Sequence, residues 1–92
     1  MIVSIRHKGL RQYYETGNGA KLPSEQLRKI ARILTALDAV TSEDDISELG
    51  SSIHKLKGDL ADFWALSVTG NYRIIFRFLD NDVLDVDYID YH

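Results

Sequence analysis

Residues 63–79 read FWALSVTGNYRIIFRFL, and their two-residue rhythm decides the fold. In FWALSV the side chains of Trp64, Leu66 and Val68 fall on one side, and in YRIIFRFL those of Tyr72, Ile74, Phe76 and Phe78 do. Successive strand residues point to opposite faces, so each run is a strand with one apolar face. The intervening Thr69-Gly70-Asn71 is short and turn-prone, which folds the pair into an antiparallel hairpin. Residues 80–83, DNDV, read as the next turn. Beyond it Leu84, Val86 and Tyr88 alternate with Asp85, Asp87 and Ile89 in a further strand. Upstream of the hairpin, IHKLKG (53–58) is a short strand.

The first half of the chain has a different period. MIVSIR alternates Ile2, Ser4 and Arg6 with Val3 and Ile5, a short strand. HKGLRQYYET is helical, with Leu10, Tyr13 and Tyr14 at i, i+3 and i+4, and stops in the glycine-containing loop GNGAKL. Pro23 opens PSEQLRKIARILTALDAV, an amphipathic helix with Leu27, Ile30, Ala31, Leu34 and Leu37 as its buried stripe and Arg28, Lys29 and Arg32 largely opposite. TSEDDISELG is a short helical turn with Ser42 as N-cap, acids in its first turn and Gly50 as its stop. The expected fold is therefore α+β, one domain over residues 1–92. An antiparallel meander carries two main N-terminal helices on one face and leaves the other face partly wet.

Composition narrows the chemistry. The chain has 92 residues, is 45% apolar and contains no cysteine, so thiolate chemistry and disulfides are excluded. His7, His54 and His92 are scattered and lack metal-ligand spacing. The N-terminal apolar run is too short for a signal peptide, and no run approaches membrane-spanning length, so the expected location is the cytoplasm. The net charge of −3 is unevenly spread. Residues 1–34 carry seven Lys or Arg against two acids, whereas residues 80–92 carry five aspartates and no base. A basic face for phosphates can coexist with an acidic rim.

Two constellations carry candidate chemistry. Arg73 and Arg77 point away from the aromatic face of their strand, four residues apart, and Lys55 and Lys57 share a side of a neighbouring segment before Gly58. Together they make a cationic patch suited to phosphate; solvated or edge-protecting cations are the alternative. The ending Asp90-Tyr91-His92 joins a carboxylate, a phenol and an imidazole, groups suited to proton transfer. Alternation places Asp90 and His92 on one side with Leu84, Val86 and Tyr88, and Tyr91 on the other. That side is opposite to Arg73, so a twist or bulge is needed to unite them.

The ordered set KLKGDLADFWALSVTGNYRIIFRF followed by DYH resembles the HigB group of the RelE/ParE toxin superfamily over essentially the full length. HKGLRQYYETGN and the helix ending LDA fit the same group. The resemblance implies a RelE-like, microbial-ribonuclease-like fold: a curved antiparallel sheet with two helices on one face. It also implies a ribosome-dependent, metal-independent mRNA endonuclease acting in the 30S A site by attack of a 2′-OH on the adjacent phosphate, with no cofactor. By the same resemblance the catalytic set is His54, Lys57, Arg73, Asp90, Tyr91 and His92, with Lys55 and Arg77 as further RNA-binding cations. The implied partners are the ribosome, mRNA and a cognate helix-turn-helix antitoxin, with operator DNA reached only through that antitoxin and no membrane. Departures from the group are the acidic net charge, Asp62 where a small residue often precedes the aromatic–Trp pair, Thr69 in SVTG where the strand end is often basic, and Tyr72 where a tryptophan commonly precedes the arginine. The acidic balance keeps open a weak or decayed toxin acting mainly as antitoxin-binding co-repressor. The superfamily also offers a ParE-like topoisomerase poison, a group that generally lacks this full polar set.

Overall fold

The rhythm of residues 63–79 becomes two paired strands in a computed structural model of the protein, which describes residues 1–90. The elements run α1 (Lys8–Thr16), α2 (Leu27–Asp38), α3 (Glu43–Ser47), β1 (His54–Lys55), β2 (Phe63–Ser67), β3 (Tyr72–Leu79) and β4 (Asp82–Asp90). The strands form one antiparallel sheet in sequential order, β1-β2-β3-β4. The α+β meander read from the sequence is therefore the architecture observed.

Local chemistry explains the element ends. The His7 Nδ1 accepts from the Leu10 N–H at 3.1 Å and caps α1, and Gly17 closes it in the left-handed region at φ 80°. Pro23 does not open α2 directly: a 3₁₀ turn, Ser24–Gln26, intervenes. The buried stripe of α2 is Ile30, Ile33, Leu34 and Leu37, so Ile33 takes the place expected for Ala31. Ser42 caps α3 by accepting from the Asp45 N–H, as its sequence implied. Asp80 and Asn81, at φ 52° and 68°, form the two-residue β3–β4 turn with both central residues left-handed.

One feature of the sheet escaped the alternation rule. Ile75 pairs with Asp87 but Arg77 pairs with Leu84, so Asp85 and Val86 together oppose Phe76. The extra residue is Asp85, at φ 53°. Upstream of this bulge the parity of β4 is inverted. Val83 rather than Leu84 enters the helix-covered core, beside Val86. The core on that face joins Leu10 of α1, Ile30, Leu34 and Leu37 of α2, and Ile46 of α3 to Leu66, Ile74, Phe76, Val83 and Val86 of the sheet.

The N-terminal segment is not the regular strand expected. Ile2 and Ile5 are buried, three residues apart, and the segment pairs with β4 through the isolated parallel bridges Ile2↔Val83 and Ile5↔Val86. Four backbone hydrogen bonds hold it along the β4 edge, from Val83 N–H to Met1 carbonyl (2.9 Å) through Arg6 N–H to Val86 carbonyl (2.7 Å). Asp38 ties this segment to both main helices, accepting from the Ile2 N–H at 2.9 Å and from the Tyr14 hydroxyl at 2.8 Å.

The second sheet face is also drier than expected. Phe63, Ala65 and Ile75 form a buried cluster covered by Leu56 and Ile89. Residues 56–62, looping between β1 and β2, bring Leu56 over this face. Because Asn81 sits in the left-handed region, Asn81→Gly should be neutral or mildly stabilising in urea unfolding. Asn81→Val should cost about 1–2 kcal/mol, the steric penalty of a side chain in that region.

Candidate functional site

The sheet register sorts the expected site residues into three places. His54 lies opposite Ala65, which lies opposite Ile75, so His54 belongs to the face away from the helices. Its Nδ1 is 3.1 Å from the Ser52 carbonyl oxygen. A carbonyl only accepts, so Nδ1 carries the hydrogen and the Nε2 of the neutral ring is left able to take a proton. Lys57 ends the short extended stretch after β1, immediately before a 3₁₀ turn over Gly58–Leu60. Gly58 makes that turn at φ 69°, where a side chain would be strained. His54, Lys55, Leu56, Lys57 and Leu60 line a cleft of about 290 Å³. The His54 imidazole thus lines the same cleft as Lys57, a combination that can deprotonate a hydroxyl beside an anion.

Lys55 is not placed as a simple companion of Lys57. It pairs with Trp64, and its ammonium lies 5.7 Å from the centroid of the Trp64 ring. The expected strand IHKLKG is paired only over His54–Lys55, because the chain leaves the sheet to fold Leu56 onto the Phe63 cluster.

Arg73 occupies the opposite end of the open face, between Ser67 and Ile89. Its Nη1 donates to the carbonyls of Thr69 (2.8 Å), Gly70 (3.2 Å) and Tyr72 (3.3 Å). The guanidinium is thereby docked on the β2–β3 turn rather than projecting straight into solvent. Four residues along β3, Arg77 also faces the open side, but its Nη1 pairs with Asp85 Oδ2 at 3.1 Å. The arginine expected as a free RNA contact therefore has an internal carboxylate partner.

Asp90 pairs with Tyr72, whereas Arg73 pairs with Ile89. The β4 bulge lies before Tyr88 and does not turn Asp90 over, so Asp90 remains on the side of Tyr72 and Tyr88. The parity conflict between Asp90 and Arg73 is thus a property of the sheet over the described residues. Tyr91 and His92 lie outside the described residues.

On the Asp90 side, sequence reasoning missed an aromatic cluster. Tyr72 and Tyr88 stack with centroids 5.1 Å apart, and the edge of His7 meets Tyr88 at 5.4 Å. The Tyr88 hydroxyl donates to Gln26 Oε1, and Gln26 is a buried polar residue. Burial, followed by the neighbouring Tyr72, pushes the Tyr88 phenol up to about 12. Among the described residues no three His, Cys, Asp or Glu side chains converge in a way that could hold a metal ion, and no helix is long and apolar enough to cross a membrane.

The family profile described as the RelE-like toxin of the type II toxin–antitoxin system HigB matches residues 3–92. The chain is 35% identical to Endoribonuclease HigB of Proteus vulgaris, with both chains fully covered. It is 32% identical to Toxin HigB-1 of Vibrio cholerae serotype O1, over all of this chain and 98% of that one. Among solved structures it is similar to a chain of the YoeB–YefM complex from Staphylococcus aureus, with TM-score 0.64 and 19% identity over 100% of this chain and 95% of that one. The YoeB dimer from the same organism matches with TM-score 0.60 and 20% identity over 99% and 94% of the two chains. These two likenesses are of fold.

The raised Tyr88 phenol has a pH consequence. Its neutral form is favoured in the folded state, so its contribution is fully present below the unfolded value of 10.0 and is lost as pH rises to about 12. Absorbance titration of the native protein should show a tyrosine ionising near 12 that disappears in Tyr88→Phe. Unfolding stability should fall between pH 10 and 12 more steeply in wild type than in the variant.

Proposed function

Because the chain belongs to the HigB-like family of RelE-like toxins, we propose that it is a ribosome-dependent endoribonuclease that cuts mRNA in the 30S A site. It acts in the cytoplasm and is held in check by a cognate helix-turn-helix antitoxin, which links it indirectly to operator DNA. The single observation that carries the nuclease reading is the cleft where His54, with Nδ1 fixed on the Ser52 carbonyl, stands beside Lys57. The relative named an endoribonuclease supports it at full-length coverage.

The reaction follows from what RNA offers. A base removes the proton of a 2′-OH, the oxygen forms a bond to the adjacent phosphorus, and the bond from phosphorus to the 5′ oxygen breaks. An acid returns a proton to that oxygen, leaving a 2′,3′-cyclic phosphate and a 5′-OH, so no water or metal enters the balance. His54 Nε2 is suited to the first transfer. Lys57 and Arg73 neutralise charge developing on the phosphorane, Arg73 from the far end of the open face. By the family resemblance Asp90 and His92 handle the remaining protons and Tyr91 positions the nucleotide. Asp90 acts from the strand end, because it lies on the side of Tyr72 and not on that of Arg73. Lys55, drawn to Trp64, adds charge at the edge of the sheet.

The weak-toxin reading is favoured by one observation, the pairing of Arg77 with Asp85, which offsets part of the basic charge on the open face. Translation of a defined mRNA on purified ribosomes, with 5′ ends mapped by primer extension, separates the two. The nuclease reading expects cuts at a fixed codon position that vanish without ribosomes. It also expects a rate reduced ~100-fold or more in His54→Ala and in Lys57→Ala, the size of one acid–base or charge-stabilising contribution. Intact mRNA with retained antitoxin binding would establish the co-repressor, and inhibition of DNA supercoiling by topoisomerase would establish the ParE-like poison.

A further inference from the structure

The open face carries a second cationic station that the catalytic reading does not use. Asp85, the bulged residue of β4, has its backbone N–H fixed by the Ser4 hydroxyl oxygen at 2.8 Å. Its two carboxylate oxygens are divided between two arginines. Arg6 Nε lies 3.5 Å from Oδ1 and Arg77 Nη1 lies 3.1 Å from Oδ2. The Arg6 guanidinium carbon also lies 5.5 Å from the centroid of the Phe63 ring, a cation–π distance.

A carboxylate often binds one guanidinium through both oxygens, whereas Asp85 turns one oxygen to each arginine. Here each arginine is held through one nitrogen, which leaves both forks with further N–H donors. The Arg6 side chain is 55% exposed, and Asp85 is 22% exposed beneath the pair. Two like charges are thus kept together by a carboxylate between them, and the group is net positive by one.

Position gives the station a use. Arg77 and Arg73 share the open face four residues apart on β3, about 14 Å at roughly 3.4 Å per residue. Asp87, the acid on this face between them, turns its Oδ1 onto the Tyr88 N–H at 2.9 Å. We propose that Arg6 and Arg77, oriented by Asp85, form a second RNA-phosphate-binding point at the bulge end of the open face. The phosphate belongs to the message or to ribosomal RNA. Arg6 and Arg77 are binding residues in this scheme and Asp85 is a positioning residue. The proposal rests on the RNA-acting reading above.

Binding of the labelled full-length protein is measured against salt on two probes, a single-stranded RNA oligonucleotide with a 2′-O-methyl backbone and vacant ribosomes. Arg6→Gln and Arg77→Gln should each bind three- to tenfold more weakly at low salt. On the oligonucleotide the slope of log affinity against log salt should become shallower by about 0.7, the loss of one neutralised phosphate on a single strand. Lys29→Gln, which removes the same charge from the exposed face of α2, should match wild type. Arg6→Lys, which keeps the charge without the planar fork, should fall between wild type and Arg6→Gln and covers the case in which Arg6→Gln unsettles the N-terminal segment. A loss on the oligonucleotide assigns the phosphate to the message, and a loss on ribosomes alone assigns it to ribosomal RNA. Unchanged binding on both probes, or equal loss in Lys29→Gln, overturns the station. Cutting by wild type, read in parallel, keeps the outcomes apart. Cutting with unchanged Arg6→Gln binding sinks the station alone, and salt-dependent loss without cutting sinks the nuclease alone.

Discussion

The structure turns on one extra residue in β4. Without the bulge at Asp85, the alternation set by Tyr88 and Val86 would drive Leu84 into the helix-covered core and leave Val83 outside. With it, Val83 and Val86 are both buried, and both meet the N-terminal segment, bridging to Ile2 and Ile5. The backbone cost of a left-handed Asp85 is offset by the Ser4 hydroxyl and by two arginines. A local irregularity thus fixes the edge of the sheet, the entry of the chain and the charge pattern of one face.

The two sheet faces are built for different purposes. The helix side is an apolar layer from Leu10 to Val86, and among the described residues its buried polar member is Gln26, paired to Tyr88. The other side has only a small cluster around Phe63, Ala65 and Ile75, and charged groups occupy its margins. His54 and Lys57 stand at the β1 margin, Arg73 at the β2–β3 turn, and Arg77 with Arg6 at the bulge. This face therefore has a dry, covered centre and cations at its margins, and the proposed contact with RNA phosphates draws on those margins. The uneven charge of the sequence is resolved in this way: the chain is acidic in sum, and its open face still carries ordered cations.

Much of this was legible in the sequence because it is local. The 3.6-residue stripe of Ile30, Leu34 and Leu37, the Ser42 cap and the hairpin around Thr69-Gly70-Asn71 each depend on residues within a few positions of one another. The grouping of His54 with Lys57 came from the family resemblance and not from spacing, because strand alternation would set residues three apart on opposite faces. Ile33 was misjudged in favour of Ala31 because several α2 positions are apolar and only packing selects among them. Alternation along β4 placed Asp90 on the side opposite to Arg73, as the register has it, because parity is a local property of the strand downstream of the bulge.

The sequence by itself determined the α+β order, the antiparallel meander and the residue types available for phosphate chemistry, because periodicity and turn residues act over short range. Only the tertiary structure decided that β4 bulges, that Arg77 and Arg6 share Asp85, and that Leu56 covers the second face. Arg6 and Asp85 are 79 positions apart, and no local pattern encodes their meeting. The bulge arises because burying both Val83 and Val86 against the helices outweighs regular pairing, a balance that exists only when the whole sheet is packed.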